Sequence, residues 1–232
     1  MLKLEDISVD LAGARVLRGV SATAHVASTV AVVGRNGVGK TTLLRTIMGL
    51  VKPKQGRVLF DDEDLLHRPA YHRAELGIGY APEDRVIFPT LTVEENLRLP
   101  CEVQNFDAAE IDDRLASVLE VVPQLKDMLG RSGAALSGGQ GKMVALGRAL
   151  MIGTRLVLLD EPFQGLAPAL ARQYGEALLR LRSVRPDLCV MITESNASLL
   201  MDIPNQTLTL ERGAIEAGAI EAGAIEAGAP AH

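Results

Sequence analysis

The sequence predicts an α/β fold: a parallel sheet covered by helices, with an antiparallel β-subdomain at the N-terminus and an inserted helical subdomain. Three observations predict it. The run Thr29-Val30-Ala31-Val32-Val33 leads straight into a glycine-rich loop and then a helix-like stretch at 43–48. Further on, apolar runs at 155–160 and 188–193 alternate with helical patterns starting near Ser137 and spanning 168–184, the order expected of a parallel sheet. Of the 232 residues, 47% are hydrophobic but only 3% aromatic. That Ala/Val/Leu-rich balance suits strands buried on both faces.

In chain order, 2–9 and 16–26 read as strands, followed by the strand entering the loop. Residues 56–63 read as a strand running into a turn, and 78–81 as a short strand stopped by Pro82. From Thr92 the pattern turns helical. Thr92 and Glu95 have capping-box spacing, and Ile111, Leu115, Val118, Leu119 and Val122 recur at three- and four-residue steps within 108–129. The block from about 90 to 152 is therefore expected to be a helical subdomain inserted between two halves of the core. A short helix is expected near 197–201.

The tail follows another rule. Gly213-Ala214-Ile215-Glu216-Ala217 recurs at 218–222 and 223–227. On a helix successive Ile residues would be rotated by about 140°, and on a strand they would alternate faces. The expectation is a globular unit over 1–212 and a poorly ordered extension over 213–232, with partner contact as the alternative.

The bulk properties narrow the partners. With a net charge of −5 and no basic stripe, a nucleic-acid partner is not expected. Cys101 and Cys189 lack metal-binding or redox spacing and are expected to be buried, reduced thiols. The N-terminus has no apolar leader pattern. No run approaches the ~18 uninterrupted apolar residues of a membrane span. Work at a membrane would therefore go through a spanning partner. His25, His67, His72 and His232 fall in no motif.

The chemistry starts at Gly34-Arg35-Asn36-Gly37-Val38-Gly39-Lys40-Thr41-Thr42. Between a buried strand and a helix start, this spacing is a phosphate loop, which places the core in the P-loop NTPase (RecA-like) class. Its glycines let backbone N–H groups turn inward around phosphates, and the helix N-terminus adds partial positive charge. Lys40 can reach the β/γ-phosphates of ATP, and the Thr41 hydroxyl can ligate Mg²⁺. The strand at 156–159 ends in Asp160-Glu161. Asp160 there can hold the Mg²⁺ shell, and Glu161 can orient and polarise the attacking water. Ser137-Gly138-Gly139-Gln140 opens a helix, which makes a second backbone anion site.

Leu136-Ser137-Gly138-Gly139-Gln140, in this order relative to the loop and the strand carboxylates, resembles the signature of the ATP-binding cassette (ABC) family. The resemblance covers roughly residues 2–213. It implies that Ser137–Gln140 face the γ-phosphate held by another subunit, so that two ATPase subunits sandwich two Mg-ATP molecules. Glu83 stands at the family's Q-loop glutamine, where it could contact a Mg²⁺-bound water or the membrane partner. Ser195 stands at the switch histidine, and Leu11 at the adenine-stacking aromatic. With Gly165-Leu166-Ala167-Pro168 and Glu194-Ser195-Asn196, the chain is similar to ATPase subunits of branched-chain amino acid importers and of related urea and short-amide importers. That resemblance implies a homologous or identical second ATPase, permease subunits, an indirectly engaged extracytoplasmic solute-binding protein, and residence on the cytoplasmic face of the inner membrane. Leu11 and Ser195 leave open an ATP-gated, weakly catalytic or non-catalytic module, or a soluble cassette outside transport.

Overall fold

The computed structural model describes residues 1–200, 203–216 and 220–221. Its centre is a parallel sheet of β3 (Thr29–Val33), β6 (Ile78–Ala81), β7 (Leu156–Asp160), β8 (Cys189–Glu194) and β9 (Gln206–Glu211), in the order β9-β3-β8-β7-β6. The faces of this sheet separate by strand periodicity. Leu156 and Leu158 of β7 enter one core, while Val157 and Leu159 enter the other. All five β7 residues are buried, as a central strand covered on both sides requires.

One core packs the sheet against α1 (Lys40–Ile47) and a second, antiparallel sheet, ordered β2-β1-β4-β5. Its strands are β1 (Leu2–Leu11), β2 (Ala14–Ala24), β4 (Gln55–Phe60) and β5 (Glu63–Asp64). A four-residue helix, α2 (His72–Glu75), precedes β6. Arg73 in it is wholly buried and donates to the Ile47, Leu65, Arg68 and Pro69 carbonyls.

The other core holds α3 (Val93–Val103), α4 (Ala108–Val121), α5 (Gly138–Ile152) and α6 (Pro168–Val184). Thr92 and Glu95 close a capping box at α3. The helical pattern beyond 108 stops at Val121, because Pro123 opens a 3₁₀ segment, Pro123–Met128. The expected helix near 197–201 is a 3₁₀ turn, Ala197–Leu199. Cys101 and Cys189 are buried free thiols.

Two findings depart from the sequence reading. The first is β9, for which the motifs gave no expectation. The second is the start of the tail, expected to lack fixed structure. Ala214–Ile215 (β10) and Ile220–Glu221 (β11) both pair antiparallel with β9. The outer side of β9 offers a row of open backbone groups. Gly213, at φ +82°, turns the chain back along that side, and its carbonyl accepts from Arg18 N at 2.7 Å. The rest of the expectation for the tail falls on residues outside those described. Among the described residues, no helix is long and apolar enough to cross a membrane.

Candidate active site

Beyond β3 the chain turns through 34–39 into α1. Gly39 occupies the N-cap at φ +113°, and no side chain caps the helix. Any Cβ there would fall 2.7 Å from Leu17 Cδ2, so backbone angle and packing both demand glycine. Uncapped first-turn N–H groups are what an anion site needs. Lys40 follows, only 5% exposed. Its Nζ donates to the Gly34 carbonyl (2.6 Å) and the Arg35 carbonyl (3.0 Å), and pairs with Glu161 Oε1 at 2.9 Å. Three oxygens meet the three protons of a buried ammonium.

Asp160 closes β7, buried, and accepts from Thr193 Oγ1 (2.8 Å), Thr41 Oγ1 (3.1 Å) and Tyr80 OH (3.2 Å). Burial, then the Asp160 charge, pushes the Tyr80 hydroxyl far above the usual phenol range, so it remains a donor. Glu161 adopts φ +47°, a left-handed angle that costs a non-glycine residue about 1–3 kcal/mol. The angle is held by two bonds from Glu161 N, to the Thr193 carbonyl (3.1 Å) and Thr193 Oγ1 (3.2 Å). The resulting turn sets the Glu161 carboxyl against Lys40, and its Oε2 accepts from Ser195 N (3.0 Å) and Ser195 Oγ (3.2 Å).

Lys40, Thr41 and Glu161 line a cavity of about 360 Å³ together with Asn36, Gly37, Gly39, Thr42 and Glu83, and Asp160, outside the lining, is joined to it through Thr41. Its size lies within the range of nucleotide-sized sites. Gly34 and Arg35 contribute through the carbonyls that hold Lys40, and Val38 packs against the core beneath the loop. Ser195 touches the site through Glu161.

Two expectations meet a different arrangement. Leu11 does not line the cavity; Val16 does. The β1–β2 turn at Ala12 and Gly13 has φ of +49° and +82° and pairs Leu11 with Ala14, which leaves Leu11 40% exposed at the tip. Ser137–Gln140 also lie outside the cavity lining. There Ser137 caps α5 in a reciprocal box: Gln140 N donates to Ser137 Oγ (3.3 Å), and Ser137 N donates to Gln140 Oε1 (3.0 Å). The turn is tied to the Glu83 segment, because Arg85 Nη1 donates to the Gly138 carbonyl (3.0 Å) and Arg148 holds the Arg85 and Val86 carbonyls at 2.7 and 2.5 Å.

Residues with no expected role complete the site. Gln164 lines the cavity, Lys142 Nζ donates to the Glu161 carbonyl at 2.5 Å, and Thr193 and Tyr80 hold Asp160. Glu194, last in β8, is wholly buried and accepts from Phe163 N at 2.8 Å. Burial pushes its carboxyl up to about 8, and the neighbouring Glu161 charge adds to the rise. A carboxylate closing an otherwise apolar strand was its sequence signal.

The donor set fits Mg²⁺ with a nucleoside triphosphate. A hydroxyl and a carboxylate oxygen 3.1 Å apart are hard ligands, beside a glycine-turned loop and a buried ammonium. Among the described residues no group of three or more His, Cys, Asp or Glu could hold a metal. Mg²⁺ commonly takes only one or two protein ligands, and phosphates and water supply the rest.

The fold and this cavity together define a nucleoside-triphosphatase of the phosphate-loop class. Residues 17–164 match the ABC transporter family, and the chain belongs to that family as an ATP-binding subunit and an ATPase. It is 34% identical, over 93% of this chain and 91% of the relative, to the high-affinity branched-chain amino acid transport ATP-binding protein BraG of Pseudomonas aeruginosa. It is 32% identical to the lipopolysaccharide export system ATP-binding protein LptB of Haemophilus influenzae, over 93% of this chain and 88% of the relative. Among solved structures, the ATP-binding subunit of an ABC transporter superposes with a TM-score of 0.82 at 26% identity, covering 95% of this chain and 90% of that one.

Proposed function

We propose that the chain is the ATPase subunit of an importer for branched-chain amino acids or related small amides, working as one half of an ATP sandwich. One observation carries the sandwich. Lys40, Thr41 and Glu161 line one cavity, with Asp160 bonded to Thr41, while Ser137–Gln140 sit outside that lining on a turn whose Ser137 and Gly138 are exposed. Each chain then supplies a phosphate loop to its own nucleotide and a signature turn to its partner's.

The loop N–H groups and Lys40 bind the phosphates. Thr41 and Asp160, with Glu83 through a water, would hold Mg²⁺, which neutralises developing phosphate charge when bound. Glu161 takes a proton from the attacking water, and Ser195 fixes its Oε2. Val16 covers the base or ribose in place of Leu11. The partner ATPase is a homologue or a second copy, the sandwich moves permease subunits, and the chain rests on the cytoplasmic face of the inner membrane. An extracytoplasmic binding protein delivers solute.

Importer chemistry is supported by two relatives named for branched-chain amino acid transport, BraG and the LivF of Archaeoglobus fulgidus at 32% identity, and by Glu194-Ser195-Asn196 and Glu83. A mixing experiment tests the sandwich. Lys40→Ala and Ser137→Arg chains, each inactive alone, should recover hydrolysis when mixed, because one composite site is then intact. No recovery, in chains that associate with each other, overturns the sandwich. Co-purification with a permease, and the ligand that shifts the melting of its binding protein, test the solute class.

A further inference from the structure

The buried end of β8 carries a carboxyl that the reaction does not use. Glu194 Oε1 accepts from Phe163 N at 2.8 Å, whereas Oε2 has no hydrogen-bond partner among the described residues. Beside it lies the Glu161 carboxyl, itself engaged by Lys40, Ser195 N and Ser195 Oγ. Two ionised carboxylates side by side with almost no exposure to water would repel each other, and the one without a paired cation is the one that repulsion drives toward the protonated form. Glu161 has Lys40. Glu194 has no ion pair.

The groups facing Glu194 come from three elements: Glu161 after β7, Lys142 on α5, and the Tyr174 hydroxyl on α6. Lys142 attracts the charged form, but its ammonium is directed to the Glu161 carbonyl. Tyr174 is wholly desolvated, which pushes it well above the usual phenol range, so it carries no charge. Burial and the Glu161 charge outweigh Lys142 and the Phe163 N–H, and the Glu194 carboxyl is pushed up to about 8.

We propose that Glu194, as a carboxylic acid, is a positioning residue for Glu161: it donates its proton to the Glu161 carboxylate and accepts the Phe163 N–H, bracing the strained turn between them. The unpartnered Oε2 is then the O–H donor. Ionisation of Glu194 replaces that bond with repulsion and turns Glu161 off its line. This inference rests on the assignment of Glu161 as the residue that activates water.

The test uses the full chain without nucleotide for spectroscopy and with Mg-ATP for kinetics. The infrared spectrum of the wild type should hold a carboxylic-acid C=O band that is absent in Glu194→Gln and fades as pH rises through about 8. Glu194→Gln keeps a donor and an acceptor. It should hydrolyse ATP within about threefold of wild type at pH 7 and lack the wild-type decline in kcat between about pH 7 and 9. Glu194→Leu should lose about tenfold or more in kcat with KM for ATP within about twofold. A missing acid band, an alkaline decline that persists unchanged in Glu194→Gln, or wild-type kcat in Glu194→Leu overturns the proposal. Should the leucine variant not fold, the band and the glutamine profile decide. Glu161→Gln separates the two claims: wild-type turnover there removes the assignment of Glu161, while an inactive Glu161→Gln with a persisting decline in Glu194→Gln removes only the role of Glu194.

Discussion

Two helices start at glycine-rich turns, and the structure finishes them differently. α1 has no side-chain cap, a buried lysine as its first residue, and Asp160 and Glu161 against it. α5 is capped by its own Ser137 and Gln140, and the turn is exposed. Both turns present backbone N–H groups, but only the first has an internal cation and carboxylates to complete a reacting site. In the proposed sandwich the first turn is a site of its own, and the second completes a site on another chain.

Substitutions on either side should separate the two turns. Glu161→Gln, on the α1 side, should lower hydrolysis by about 10²- to 10⁴-fold while leaving ATP binding intact, as equilibrium binding of a fluorescent ATP analogue would record. An unchanged rate would leave the α1 side as a binding site only. Lys40→Ala should weaken ATP affinity by about 10- to 100-fold, because a charge-assisted partner of the phosphates is lost. Ser137→Ala should leave the ATP affinity of the single chain within about twofold yet cut hydrolysis in the associated form, and it should cost about 1 kcal/mol of stability through the lost cap. If it weakened single-chain binding as much as Lys40→Ala, the two turns would not differ as described. Val16→Ala should weaken nucleotide affinity by about two- to fivefold through lost apolar cover, and Leu11→Ala should not.

Stability carries a separate effect. Burial and the Glu161 charge push the Glu194 carboxyl of the folded chain up to about 8, from an ordinary glutamate value of 4.5. Between those values the folded state holds more protons, so this group's contribution to stability falls as pH rises, by on the order of 1 kcal/mol per pH unit at most. Glu194→Gln should therefore gain in Tm over wild type steadily from pH 6 to about 8. A Tm difference that does not change with pH would mean that Glu194 is ionised throughout.

Much of this was legible in the chain because it is local. Strand, loop and helix start at 29–48 lie together in sequence, and so do the β7 run with its two carboxylates and the Thr92 and Ser137 caps. Placement across the fold was not. Leu11 and Val16 lie on either side of one tight turn, and only the pairing of Leu11 with Ala14 decides which of them faces the cavity. Glu194 reads as a polar end to a strand until β7 and α6 close over it. β9 did carry a signal, the alternation Thr207-Leu208-Thr209-Leu210, with both leucines buried. The meaning of the tail, by contrast, depended on finding β9 beside it.

The strand pairs at β9 have a consequence for the state of the protein in a crowded solution. Leu210 and Glu211 are matched by Ile215 and Ala214, while Gln206 and Thr207 are matched by Glu221 and Ile220. The described pairs 214–215 and 220–221 cover backbone groups at both ends of β9, at the margin of the central sheet, that would otherwise be open to another chain. A chain ending at Gly213 would keep its nucleotide site and expose that margin, and it should self-associate edge to edge.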